Sequence, residues 1–285
     1  MDLKRNSHLK IAPPTYSIKI NLFSTYKILP LHTMQKIILI TGATAGFGEA
    51  AAELFAQNGW NLIITGRRKE RLEKIQHALA SKYAVEILPL NFDVRNLKEV
   101  QQAITSLQGK WRNIDVLLNN AGLAAGRGPI QDGVYEDWEQ MIDTNLKGLL
   151  YMIREVTPLM IARNQGHIIN VASLAGWEAY GGGNVYCGTK HAVRAISRSA
   201  RIDLLPHKIK VSVISPGAAD TEFSLVRFKG DEQKAKAVYE GFQPLTAQDV
   251  ANSIYFMATQ PEHVNIEEIF ILPSAQATAT ITRKD

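Results

Sequence analysis

A tyrosine and a lysine stand four residues apart, at Tyr186 and Lys190, and Ser173 stands thirteen residues before the tyrosine. In a helix, residues four apart lie on one face, one turn apart. A free tyrosine transfers protons poorly at neutral pH because its pKa is about 10, but a neighbouring ammonium favours the phenolate. The pattern predicts a proton-transfer site made of a hydroxyl, a phenol and an ammonium. Such pairs also occur by chance in many helices. Whether this pair is catalytic therefore has to be judged from the other motifs of the chain.

A glycine-rich turn, Gly42-x-x-x-Gly46-x-Gly48, follows an apolar run at residues 36–41 and precedes an alanine-rich helical stretch. Glycines let the backbone turn tightly and approach a pyrophosphate, whose charge the helix N-terminus favours. Thr44 and Phe47 lie inside this turn and belong to the candidate site. The spacing differs from G-x-G-x-x-G, and many glycine clusters are only turns. Its place in a first strand–helix unit nevertheless predicts a dinucleotide site.

The end of the second predicted strand indicates which dinucleotide binds. The chain reads Gly66-Arg67-Arg68 there, with no carboxylate before Glu70. An acidic residue at this place usually holds a ribose 2′-hydroxyl, whereas arginine suits a 2′-phosphate. The sequence therefore predicts NADP rather than NAD. The alternative is that both arginines begin a solvated helix face.

Strand-like and helical segments alternate along the chain. Strands are expected at residues 36–41, 60–65, 85–90, 114–119, 167–172, 210–215 and 266–272. One long helix is expected at 135–163, and the helix carrying Tyr186 is expected to end near residue 205. This alternation indicates an α/β fold, a single-domain Rossmann-type doubly wound parallel sheet of seven strands with helices on both faces. The candidate residues follow strand ends, where such sheets bind ligands.

Composition excludes several classes of protein. The 285 residues are 46% hydrophobic and 21% charged, an ordinary globular balance, and no apolar run approaches a membrane span. The single cysteine, Cys187, excludes an internal disulfide and a cysteine-rich metal site, so no metal is predicted. It also allows a reducing compartment, and we expect a cytoplasmic protein.

The basic excess is concentrated at the start of the chain. Residues 1–33 hold five basic residues and one acidic residue, while the remainder holds 27 and 26. Nucleic-acid binding is therefore not expected. We expect residues 1–33 to be a disordered extension, or to precede a true start at Met34, and residues 34–285 to form the domain. An organelle-targeting leader is the alternative.

Several motifs occur together in a characteristic order over residues 34–275, and they resemble those of the short-chain dehydrogenase/reductase family. They are Thr41-Gly42-x-x-x-Gly46-x-Gly48, Asn119-Asn120-Ala121-Gly122, Asn145, Ser173, Tyr186-x-x-x-Lys190 and Ser215-Pro216-Gly217. The resemblance implies an enzyme that exchanges a hydride with NADP, and a homotetramer.

The resemblance also implies a role for each matching residue. Tyr186 would be the acid in reduction and the base in oxidation, with Lys190 lowering its pKa and holding the nicotinamide ribose. Ser173 would bond the substrate oxygen, and Asn145 would hold a water in a proton relay. The implied cofactor contacts are Asp93, Val94, Asn119, Ala121, Gly122, Pro216, Gly217 and Thr221. Asn145 could instead be a surface amide, and Thr221 a helix cap.

Segments 182–186, 216–231 and 261–266 resemble the NADP-dependent 3-hydroxy acid dehydrogenase branch of that family, which oxidises L-allo-threonine and serine and reduces malonic semialdehyde. A small hydroxy acid needs a cation for its carboxylate, and Arg227 is the candidate. A surface or subunit contact is the alternative for Arg227. The glycines at 181–183 favour a short polar substrate. The alternative functions are a 3-oxoacyl-carrier-protein reductase and a non-catalytic NADP-binding regulator.

Overall fold

Seven parallel strands form one sheet at the centre of the structure, a computed structural model that describes residues 35–285. The expected extension at residues 1–33 lies outside the described residues. The strand order is β3-β2-β1-β4-β5-β6-β7. The strands are β1 Ile37–Ile40, β2 Asn61–Gly66, β3 Ile87–Asn91, β4 Val116–Asn119, β5 Gly166–Val171, β6 Ile209–Pro216 and β7 Glu268–Ile271. The order reverses between β1 and β4, and ligands bind at such a point beyond the strand ends.

Helices cover both faces of the sheet, as predicted. The helices are α1 Gly46–Gln57, α2 Lys69–Lys82, α3 Leu97–Thr105, α4 Tyr135–Ile142, α5 Leu149–Arg163, α6 Asn184–Leu204, α7 Glu222–Arg227, α8 Glu232–Ala237 and α9 Ala247–Ala258. None of the helices within residues 35–285 has the length and apolar character that crossing a bilayer would require.

Successive side chains of β1 point to opposite faces of the sheet, so the hydrophobic core has two layers. Ile38 and Ile40 join a cluster with Phe55 of α1 and other buried side chains of α2 and α9. Ile37 and Leu39 point the other way, into a cluster formed with α3, α5 and α6. Because successive strand residues face opposite sides, four consecutive apolar residues serve both layers. This explains why the strands are continuous apolar runs.

Residues 135–163 are helical throughout, as predicted, but the α-helical hydrogen-bond pattern changes in the middle. A π-helical turn, Asp143–Gly148, separates α4 from α5. A π-turn inserts an extra residue into the helical ladder and re-aims the side chains within it. Asn145 lies in this turn. The strand ends also shift: β3 begins at Ile87 rather than residue 85, and β7 covers only Glu268–Ile271.

Candidate active site

The glycine-rich turn links β1 to α1 and forms a cradle at the strand ends. Gly42 and Gly46 have φ of 67° and 54°, a region that favours glycine. A Cβ on Gly42 would come within 3.0 Å of the Ala121 Cα, and one on Gly48 would run into the Gly42 carbonyl oxygen. Ala45, the residue that precedes α1, provides no side-chain cap, so the first amides of this helix can bind an anion. The turn therefore fits a pyrophosphate.

Three arginines lie beside this cradle. The Arg68 guanidinium donates to Thr44 Oγ1 at 2.9 Å and to the Thr44 carbonyl oxygen at 3.1 Å. Arg67 Nη1 lies 3.8 Å from Asp93 Oδ2. Arg71, which the sequence analysis did not select, also reaches the Thr44 carbonyl, at 3.5 Å. Arg71 stands three residues after Arg68 in a segment with a helical pattern, and this spacing could have identified it from the sequence.

Asp93 follows β3 and lines the same cavity as the phosphate turn. Burial raises the pKa of this carboxyl, but the hydrogen bonds from Arg95 outweigh burial and hold the pKa below its usual value. The closest of these bonds joins Arg95 Nη2 to Asp93 Oδ2 at 2.6 Å. Asp93 is therefore a charged carboxylate, and its contact with the cofactor stays a prediction.

A cavity of about 470 Å³ extends from the phosphate turn past the ends of β4, β5 and β6. Most predicted site residues line this cavity. They are Gly42, Thr44, Gly46, Phe47, Arg67, Arg68, Asp93, Val94, Ala121, Gly122, Ser173, Tyr186, Lys190, Pro216, Gly217, Thr221 and Arg227. Residues predicted from distant parts of the sequence thus meet in one cleft.

Three predicted residues, Gly48, Asn119 and Asn145, are absent from the cavity lining. Of these three, the position of Asn119 differs most from expectation, because the sequence predicts that it contacts the cofactor. Its side chain is buried and donates to Asn170 Oδ1 at 2.9 Å on the neighbouring strand. Asn120 lines the cleft instead and donates to the Thr41 carbonyl oxygen at 2.9 Å. Asn119 is the last residue of β4, whereas Asn120 lies beyond the strand, where its side chain also donates to the Gly42 carbonyl oxygen at 3.1 Å.

The proton-transfer residues lie together as the spacing predicts. Ser173 follows β5, while Tyr186 and Lys190 occupy successive turns of α6, and all three line the cavity. The Ser173 hydroxyl accepts from the Ala175 amide at 3.1 Å and donates to the Pro216 carbonyl oxygen at 3.5 Å. Lys190 Nζ donates to the Val171 carbonyl oxygen at 2.9 Å and lies 5.9 Å from the centre of the Tyr186 ring. A substrate oxygen beside Ser173 would therefore meet the phenol.

The direction of the Tyr186 pKa corrects the sequence analysis, which expected Lys190 to lower it. Burial raises the pKa of Tyr186, and the opposing effects of the nearby Ser173 hydroxyl and the Arg227 charge are smaller. Burial also lowers the pKa of Lys190 to about 8. The buried phenol therefore keeps its proton, which is the form that a general acid needs.

Asn145 is fixed between two elements of the site. Its Oδ1 accepts from the Leu123 amide at 2.9 Å, and its Nδ2 donates to the Leu123 carbonyl at 2.8 Å and to Thr189 Oγ1 at 3.1 Å. A Cβ on Gly122 would lie 3.2 Å from Asn145 Oδ1 and 3.3 Å from Lys190 Nζ. Asn145 is therefore a buried, fully engaged amide rather than a surface one. Its water relay stays a prediction.

Thr221 caps α7 and also faces the phosphate turn. Its Oγ1 accepts from the Phe223 amide at 3.2 Å. A Cβ on Gly46 would lie 3.4 Å from the Thr221 Cβ, so the turn and the start of α7 are in close proximity. The helix cap expected as the alternative is present, and the contact between Thr221 and the cofactor stays a prediction.

Arg227 closes the other end of the cavity. Its Nη1 donates to Tyr180 Oη at 3.0 Å, and its guanidinium carbon lies 5.6 Å from the centre of the Tyr186 ring. The Nη2 atom is buried and finds no hydrogen-bond partner within residues 35–285. Tyr180 was missed by the sequence analysis. A Cβ on Gly183 would clash with its ring, so the glycine run was the signal that a large side chain packs there.

No group of three or more side chains that could hold a metal ion is found across the described residues. The arrangement instead combines a phosphate cradle, a cluster of guanidiniums, a hydroxyl and a phenol in one cleft, and a half-buried guanidinium 5.6 Å from the centre of the phenol ring. Such a site can hold a phosphorylated dinucleotide and an anionic substrate, and can move a proton at the phenol.

Comparison with known proteins gives consistent matches. The family model of the short chain dehydrogenase matches residues 36–231. The NADP-dependent 3-hydroxy acid dehydrogenase YdfG of Salmonella typhi is 48% identical over 247 residues, 86% of this chain and 98% of that protein. The serine 3-dehydrogenase of Agrobacterium fabrum is 42% identical over 246 residues, 86% of this chain and 97% of that protein.

A solved structure of serine dehydrogenase, in its closed form and complexed with NADP+, superimposes with a TM-score of 0.82. It is 46% identical in sequence and covers 87% of this chain and 99% of its own. The family match, the relatives and this structure agree with the fold described above. The chain belongs to the short-chain dehydrogenase family.

Proposed function

We propose that this enzyme interconverts a small 3-hydroxy acid and its 3-oxo acid with NADP as cofactor. The observation that carries the proposal is the guanidinium of Arg227, whose buried Nη2 has no partner within the described residues and which lies 5.6 Å from the Tyr186 ring. A buried donor without a partner is costly unless a ligand satisfies it. A carboxylate is the ligand that a guanidinium binds best.

The relatives named above support NADP, and the cleft fits it. The close approach at Gly42 leaves backbone space for a pyrophosphate, and Arg67 and Arg68 stand where a 2′-phosphate would bind. NADP accepts or donates the hydride when bound, while the protein supplies orientation and proton transfer. The residues that would hold it are the cradle glycines, the two arginines, Lys190 and Thr221.

Proton transfer belongs to Tyr186 Oη. In oxidation the phenolate form of Tyr186 takes the proton of the substrate hydroxyl, and in reduction the protonated phenol gives its proton to the carbonyl oxygen. Ser173 would orient the same substrate oxygen, since both side chains line the same cavity. Lys190 would bond the nicotinamide ribose and place a positive charge near the phenol when the site is filled.

The substrate end suits a short acid. Arg227 would bind its carboxylate, with Tyr180 Oη holding the guanidinium in place through the 3.0 Å bond. The Phe223 ring lies 5.6 Å from the Tyr186 ring and narrows the space beside the phenol. The distance between the carboxylate and the reacting carbon in a 3-hydroxy acid is short, which matches the proximity of Arg227 to Tyr186. The homotetramer and the cytoplasmic location expected from sequence are part of this proposal.

A substrate screen tests the proposal. We expect the purified enzyme to reduce NADP+ with L-allo-threonine or 3-hydroxypropionate. Turnover of acetoacetyl thioesters without turnover of any 3-hydroxy acid would instead indicate the carrier-protein reductase. Tight NADPH binding without turnover of either class would indicate the regulator.

A further inference from the structure

Helix α7 contributes a charged residue to each end of the cavity. Arg227, its last residue, lies at the substrate end, and Glu222, its first, lies among the arginines at the cofactor end. Both oxygens of the Glu222 carboxylate are engaged. Arg68 Nη1 donates to one at 3.0 Å, and Arg71 Nη1 donates to the other at 2.7 Å. The carboxylate thus bridges two guanidiniums beside the phosphate turn.

Those guanidiniums are fixed in place by the turn itself. Arg68 Nε and Nη2 both donate to Thr44, so every nitrogen of Arg68 has a partner. The side chains of Arg68, Arg71 and Glu222 are 43%, 48% and 44% exposed, so an anion from solvent can reach them. An anion that binds Arg68 Nη1 and Arg71 Nη1 has to share or take the hydrogen bonds that now go to Glu222.

We propose that Glu222 is a specificity-determining residue, which competes with the 2′-phosphate of NADP(H) for Arg68 and Arg71. The inference rests on the proposed function because it takes NADP as the cofactor. A carboxylate and a phosphate on the same guanidiniums repel each other. NAD(H) carries no 2′-phosphate and does not meet this competition. Glu222 therefore weakens NADP(H) binding selectively and favours release of the cofactor after turnover.

The charge of Glu222 is retained at neutral pH. Burial raises the pKa of this carboxyl, but the hydrogen bonds from Arg71 and Arg68 outweigh burial and keep the pKa below its usual value. The carboxylate therefore competes at the pH where the enzyme would be assayed. If it were only an exposed surface ion pair, removing it would leave cofactor affinity unchanged.

Glu222→Gln tests the competition, because glutamine keeps the size of the side chain and removes its charge. The dissociation constants of NADPH and NADH are measured by titration calorimetry at one low salt concentration. We expect the NADPH constant to fall about threefold to tenfold and the NADH constant to change less than about twofold. Glu222→Asp, which keeps the charge, should stay close to the wild type. Adenosine 2′,5′-bisphosphate should show the same tightening as NADPH.

Glu232→Gln is the matched control. Glu232 lies in α8, outside the cavity lining, and pairs with Lys236 at 3.7 Å on the surface. This variant should leave both constants unchanged.

Three results would overturn the inference. NADPH affinity could stay unchanged in Glu222→Gln, it could fall, or NADPH and NADH affinities could shift equally. A fall would mean that Glu222 positions the arginines, and an equal shift would mean that it acts through the fold of α7.

The proposed function has a separate readout. A wild type that binds NADPH no more tightly than NADH would contradict its cofactor assignment, whatever Glu222→Gln does.

Discussion

The two ends of the cleft hold arginines in opposite surroundings. At the cofactor end, the side chains of Arg67 and Arg68 are 56% and 43% exposed, and both pair with carboxylates. At the substrate end, Arg227 is half-buried, and one of its nitrogens is buried without a partner in the described chain. Water and salt weaken the first kind of charge much more than the second. The same residue type should therefore contribute modestly to cofactor choice and strongly to substrate recognition.

The largest loss of activity is expected from a substitution of Tyr186, whose phenol lies between the two ends of the cleft. Tyr186→Phe removes the only group that we assign to proton transfer, so kcat should fall by about 100-fold to 10,000-fold. NADPH affinity, measured by calorimetry, should stay within about twofold. Tyr135→Phe, at a 74% exposed tyrosine of α4, is the control. A Tyr186→Phe enzyme that keeps more than about a tenth of its activity would contradict the acid–base role.

The next largest loss of activity is expected at the half-buried Arg227. Arg227→Ala removes the partner of the substrate carboxylate, so kcat/KM for a 3-hydroxy acid should fall by about 30-fold to 1,000-fold. Steady-state kinetics with saturating NADP+ measures this. Arg198→Ala, which removes an exposed arginine paired with Glu267 outside the cavity, should have no effect. A loss of kcat/KM below about threefold would contradict the stronger role expected of Arg227 compared with the exposed arginines at the cofactor end.

A smaller effect is expected at the exposed arginines. Replacing Arg67 and Arg68 together with alanine should raise the dissociation constant of NADPH by about tenfold to 100-fold. The constant for NADH should rise less than about threefold, because NADH has no 2′-phosphate contact to lose and is affected only through the lost bonds from Arg68 to Thr44. The double variant Arg198→Ala and Arg201→Ala removes two arginines paired with Glu267 and is the matched control. Equal weakening of NADPH and NADH would contradict the role of Arg67 and Arg68 in cofactor choice.

The smallest expected effect is a change in KM with ionic strength, and measuring it requires no substitution. Raising the ionic strength from about 0.05 M to about 0.5 M should raise the KM for NADP+ by about threefold, because exposed charges are screened. The KM for the hydroxy acid should change less, since Arg227 is partly desolvated. Initial rates at matched pH measure both constants. A larger salt effect on the hydroxy acid than on NADP+ would reverse the comparison.

The sequence was sufficient for the fold and for much of the cleft. The family, the seven-stranded sheet and its helices on both faces are confirmed, and the NADP prediction agrees with the NADP-dependent relatives. Glycines with positive φ, continuous apolar strands and a Tyr-x-x-x-Lys pair carry local signals. Such signals need no knowledge of tertiary contacts, because backbone geometry alone requires them.

The remaining features depend on contacts between distant segments. The bridge from Glu222 to Arg68 spans 154 positions, and the bond from Arg227 to Tyr180 spans 47. No periodicity predicts these pairs. The π-turn at Asn145 was missed for a related reason, since a continuous helical pattern does not show an inserted residue. The direction of the Tyr186 pKa was wrong because burial, which the sequence does not show, outweighs nearby charge.

The central claim is that Arg227 binds a carboxylate next to the phenol of Tyr186. The most direct test compares 3-hydroxypropionate with propane-1,3-diol, its neutral counterpart, as substrates with NADP+. The wild type should prefer the acid in kcat/KM by at least about 30-fold, and Arg227→Ala should lose most of that preference while keeping its activity on the diol. An acid preference that survives in Arg227→Ala, or a wild type that shows none, would contradict the claim.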